Sequence, residues 1–180
     1  MSKLRAALFC LCTVVCLSAV VADEADSRRK AVAALSQLGQ TTPVLSKRLE
    51  PLSSYPPTRA TVQQHQALVA RLNSLLERAQ AMLAGKKVDP RTLGVLEKKF
   101  RSVRSQLRHL RGDMRTKINR LVTEADAMSE RARNEADKIK GHFQAWTEKA
   151  NQVDQQLSSI LRTLKDIRRI GVGGSDLGAS

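Results

Sequence analysis

The chain has 180 residues, with 31 Lys and Arg against 17 Asp and Glu, giving a net charge of +14 and a pI near 10.4. Aromatic residues make up 3%, too few for a large globular core but sufficient for helices that meet along a seam. The length suits one domain, and a field of this sign draws polyanions: nucleic acid, sulfated glycan, anionic lipid or acidic protein.

Residues 1–22 read as a secretory signal peptide. Lys3 and Arg5 supply a positive n-region, residues 6–21 form a 16-residue apolar run, and Val20 and Ala22 fit a small-residue cleavage pattern before Asp23. The alternatives are an uncleaved signal anchor and a mitochondrial presequence, although a presequence should be amphipathic and richer in Arg. Cys10, Cys12 and Cys16 all fall in this stretch, so a cleaved chain would hold no cysteine, hence no disulfide and no thiolate metal site. Losing Lys3 and Arg5 takes 31 basic residues to 29 against 17 acidic ones, a net charge of +12. The expected location is the secretory lumen or the cell exterior.

Residues 23–39 predict a short helix with Ala31, Leu35 and Leu38 on one face and Gly39 at its end. Residues 40–59 carry Pro43, Pro51, Pro56 and Pro57 and predict a proline-rich linker, with a turn or two of helix at residues 44–50. Residues 60–170 form the main helical unit. Its first helix spans residues 61–84, with Val62, His65, Val69, Leu72, Leu76, Ala79 and Leu83 three and four apart. Gly85 suits a helix C-terminus, and Asp89-Pro90 pairs an N-cap with a favoured first-turn proline. So short a connection predicts an antiparallel hairpin.

From Leu93 the same spacing continues to Ile167 through Phe100, Val103, Leu107, Met114, Ile118, Ile139, Phe143, Trp146, Val153, Leu157 and Leu164. Two phase slips interrupt it, between Met114 and Ile118 and between Ala132 and Ala136. A two-in-seven seam is the coiled-coil pattern, and a four-residue stutter marks where a helix changes partner. With no proline after Pro90, the expectation is one nearly continuous helix of about 120 Å. The second helix would cover it only to about Met114. The uncovered remainder then predicts self-association, the alternative being a hinge near Gly112 or within residues 123–136. Gly112 and Gly141 fall on outward positions. The tail, residues 171–180, is glycine-rich and reads as flexible. The fold class is therefore all-α: an elongated coiled coil or helical hairpin.

Beside the seam runs a ridge of Arg101, Arg104, Arg108, Arg111 and Arg115, whose spacing places all five on one helix flank. Guanidinium forks bind sulfate, phosphate or carboxylate through paired hydrogen bonds, so the ridge is the candidate polyanion-binding site. The competing readings are a solvated flank or a surface for an acidic neighbour. Residues 124–137, with Glu124, Asp126, Glu130, Glu135 and Asp137 against Arg131 and Arg133, offer such a neighbour and would set register.

The other features point away from chemistry. His65 sits at a seam position, and no zinc-binding His pair, phosphate loop or Ser-His-Asp arrangement stands out. Neither catalytic residue, cofactor nor metal is expected. Arg111-Gly112-Asp113 spells an adhesion tripeptide but lies inside the helix, and Phe143 with Trp146 forms a large core layer. The expected function is that of a non-enzymatic, secreted, basic coiled-coil protein that self-associates and binds sulfated glycan or acidic lipid through the ridge. A scaffold coiled coil and a nucleic-acid-binding helical protein are the alternatives.

Overall fold

The computed structural model describes the backbone of residues 2–85 and 89–173 and the side chains of residues 23–85 and 89–170. Among them it shows four helices and no strand: α1 (Ser2–Ser53), α2 (Pro56–Ala84), α3 (Pro90–Asp126) and α4 (Glu130–Gly173). The side chains of the expected signal peptide and of the tail lie outside the described residues, as do residues 86–88.

The linker expected at residues 40–59 is helix instead. Ala31, Leu35, Leu38, Thr42, Leu45, Leu49 and Leu52 are all buried, and their spacing of four, three, four, three carries a heptad straight through both prolines of α1. Thr42 holds a seam position and hides the repeat from an apolar count. Pro43 has no N–H for the Gly39 carbonyl, but the Thr42 hydroxyl donates to that carbonyl at 3.2 Å and shares its proton with the Asn73 side-chain oxygen at 2.9 Å. Pro56 and Pro57 open α2 rather than prolonging a linker. The Thr58 hydroxyl donates to the Leu52 carbonyl, one of those left open at the end of α1.

At the start of α3 the expected cap is present: the Asp89 carboxylate accepts from Arg91 N at 3.2 Å and from Thr92 N at 3.0 Å, with Pro90 in the first turn. The long continuous helix is not. The chain reverses at Ala127-Met128-Ser129, inside the stretch given above as the alternative hinge. Here Ala127 N donates to Glu124 O and Met128 N to Ala125 O, closing α3. The Ser129 hydroxyl then accepts from Ala132 N at 3.2 Å, starting α4 without help from proline or glycine.

The four helices run antiparallel around a square, α1 and α3 each lying against α2 and α4. Contacts that set the register are Arg28 with Gly85, Thr41 with Gln156, Thr61 with Asp113, and Glu97 with Arg168. Thr61 sits beside Asp113 and Lys117, so α2 begins where the α3 seam changes phase. Beyond that point α4 takes over the cover. Ala136, Ile139, Phe143, Trp146, Ala150, Val153, Leu157, Ile160, Leu164 and Ile167 are all buried within this one chain. The seam needs no second copy to cover it, and the premise for self-association falls away.

Gly112 and Gly141 have nothing within 4 Å of an added Cβ, and both lie in helix with negative φ. Replacing each with Ala is expected to stabilise the fold by about 0.5–1 kcal/mol through helix propensity. Urea melts of the single and double variants check this.

Candidate functional site

The arginine ridge lies on the flank of α3 that meets α4, and the neighbour divides it. Arg104 Nε and Nη2 donate to Asp154 Oδ1 and Oδ2 at 2.9 and 3.3 Å, and Arg108 repeats the fork at 2.8 and 2.8 Å. Arg111 donates to the Asn151 side-chain oxygen. Arg101 pairs with Glu97 of its own helix at 2.5 Å, its side chain 68% exposed. Arg115 is exposed and has no hydrogen bond or ion pair among the described residues. The three central arginines of the ridge are bound to α4.

Asp154 is the hub of that contact, with its side chain 15% exposed. Desolvation pushes its carboxyl upward, but the bonds from Arg108 and Arg104 outweigh burial and hold it at about 2, below the usual 3.8. Two forked guanidiniums on one carboxylate fix both the rotation of α4 and its register against α3. Within this chain the acid that meets the ridge is Asp154 rather than one of residues 124–137. Glu124 pairs with Arg120, Asp126 with Arg133 and Glu135 with Lys138, at 2.7, 2.7 and 2.8 Å, all close in sequence. All three acids lie in or beside the α3–α4 hairpin tip and are paired there.

A second carboxylate, Glu97, is 6% exposed and lies between α3 and α4. It accepts from Arg101 and from Arg168 Nη1 at 3.4 Å. A Cβ at Gly94 would meet the same nitrogen at 3.4 Å, an ordinary van der Waals contact. The adhesion-like tripeptide is helical, with Arg111 turned to α4 and Asp113 turned to α2. Asp113 accepts from the Thr61 hydroxyl at 2.6 Å and from Lys117 Nζ at 2.8 Å. These bonds, Lys117 first, lower its carboxyl below the usual value.

The other polar group in the core is His65, 1% exposed, edge-on to Trp146 with ring centroids 4.7 Å apart and planes at 73°. Neither imidazole nitrogen has a hydrogen-bond partner, and the Trp146 indole N–H also lacks one. Burial pulls the imidazole down to about 4 from 6.5, while the Leu110 carbonyl and Asp113 work weakly the other way. The expected packing role for this histidine matches its placement.

No protein-family model, curated protein or solved structure matches the chain. Among the described residues, no three His, Cys, Asp or Glu side chains are grouped to hold a metal ion. Nor is any described helix long and apolar enough to cross a membrane. The groove between α2 and α3, lined by Gln64, Ala67, Leu68, Arg71, Gln106 and Leu110, is shallow and holds no acid–base pair. Asp154 was the ridge partner missed from sequence, whereas the pairing of Glu97 with Arg101 follows from their i,i+4 spacing. Asp154 is the only acid between Glu148 and Asp166 and directly follows the seam residue Val153. That signal becomes readable once α4 is known to fold back on α3.

Proposed function

We propose that this is a non-enzymatic, secreted, basic helical protein that binds an anionic surface through the outward cations of α3 and α4. The reading rests on one observation. After the bundle has closed, Arg101 and Arg115 at the two ends of the ridge still reach solvent, while Arg104, Arg108 and Arg111 are bound to α4. The central arginines hold the two helices together, and the outer ones add to a surface whose net charge is strongly positive. Secretion is supported by the basic start and apolar run of residues 1–22.

A salt series on immobilised heparin tests this function. The protein is expected to stay bound at about 0.15 M salt and to elute with a steep salt dependence. Arg101→Gln with Arg115→Gln is expected to lower the elution salt and leave the helical circular dichroism intact. A protein that flows through at that salt would refute the binding role.

A further inference from the structure

We propose, resting on the polyanion-binding function above, that the binding surface lies across both helices at one end of the bundle, and that its ligand is a sulfated glycan chain. It combines Lys98 and Arg101 of α3 with Arg162, Lys165 and Arg169 of α4. The contact of Glu97 with Arg168 places the last turns of α4 beside the first turns of α3. Arg162, Lys165 and Arg169 are spaced three and four apart on one face of α4, covering about 10 Å of helix. All three are exposed, as are Lys98 and Arg101.

Their charges are largely uncompensated. Glu97 is the one carboxylate between the two rows, and it is already shared by Arg101 and Arg168. Asp166 is half-buried on α4 and is the only other acid in the last turns. Among the described residues, only Arg101 of the five cations has an ion-pair partner. Packed helices lie about 8–10 Å apart, so two cation rows flank a shallow track along the α3–α4 seam. Like charges held this close favour an anion that bridges them.

The ligand class follows from what accompanies the charges. Phe100, Phe143 and Trp146 are buried, and Tyr55 lies in the α1–α2 turn at the opposite end. Among the described residues, no aromatic is therefore available there for stacking on bases. Val95 is the one large apolar side chain exposed in the first turns of α3, which gives little to insert into lipid. Charge without stacking or an apolar anchor suits a sulfated polymer, the polyanion that a secreted protein meets.

Binding to heparin, to desulfated heparin and to duplex DNA, measured across a salt series, tests the assignment. Arg162→Gln/Lys165→Gln/Arg169→Gln is compared with Lys47→Gln/Arg48→Gln/Arg59→Gln, which removes the same charge from exposed sites at the far end. The α4 triple variant is expected to weaken heparin binding at least about tenfold at 0.15 M salt and to flatten the salt slope. The control is expected to change it less than about twofold, and desulfated heparin to bind weakly. Equal losses in the two variants would overturn the site while leaving the general binding function in place. Duplex DNA bound more tightly than heparin would overturn the ligand class, and no heparin binding by the unmodified protein would remove both readings.

Discussion

Replacing His65 with Leu is expected to make the bundle markedly less sensitive to acid. The folded imidazole is held at about 4 by burial, whereas an unfolded chain protonates near 6.5. Because the unfolded state binds the extra proton, stability from this group is full above about pH 6.5. It falls as pH drops towards 4, then levels off. A shift of that size is worth about 3 kcal/mol.

The charged group that acts on this imidazole is Asp113 of α3, itself paired with Lys117. Both remain in the variant, so their own titration cancels in the comparison. Leu fills a similar volume and leaves no unpaired nitrogen, so the variant is expected to be at least as stable at pH 7. Urea unfolding at pH 7, 5.5 and 4, followed by the fluorescence of Trp146, the chain's only tryptophan, reads this directly. A stability gap between the two proteins that stays constant from pH 7 to pH 4 would contradict it.

Asp154→Ala is the second large effect. It releases four charge-assisted hydrogen bonds and leaves Arg104, only 26% exposed, beside an empty site. The expected loss is about 2 kcal/mol at pH 7. With the carboxyl held at about 2 in the folded chain and near 3.8 when unfolded, this contribution is present above about pH 4. It is lost as pH falls through 2. Asp154→Ala and Arg104→Gln should also fail to add, with a coupling of about 1 kcal/mol, because each removes the same contact. Strict additivity in chemical denaturation would mean that the arginine ridge does not fasten α4.

Much of the architecture was legible in the residues, and the failures have specific causes. The three-four spacing marked α2, α3 and α4, and Asp89-Pro90 marked a helix start that the structure retains. The α1 heptad was concealed because a threonine occupies its central seam position, and because Pro43 is tolerated where Thr42 can satisfy the Gly39 carbonyl. The reversal at Ala127-Met128-Ser129 carries neither proline nor glycine. Its one local signal is Ser129 as an N-cap, and serine is common enough in helices to pass unnoticed. The two phase slips were the better guide. One falls where α2 begins beside α3, and the other follows the turn into α4. The ridge itself was visible as a periodic flank, but which of its arginines α4 holds depends on Asp154 and Asn151, some 40–50 residues away in sequence.

The fold-back of α4 on α3 underlies the closed core, the Asp154 fork and the basic end surface alike. A spin-label distance between Ser105 and Gln155, exposed positions flanking the Asp154 contact, tests it most directly. Cys10, Cys12 and Cys16 would be replaced by Ser, and the labelled chain diluted with unlabelled protein. A distance below about 25 Å is predicted, since antiparallel neighbours lie about 8–10 Å apart before the label arms are added. A continuous helix would place these positions about 75 Å apart at 1.5 Å per residue. A distance in that range, or a short one that vanishes on dilution, would contradict the fold-back within a single chain.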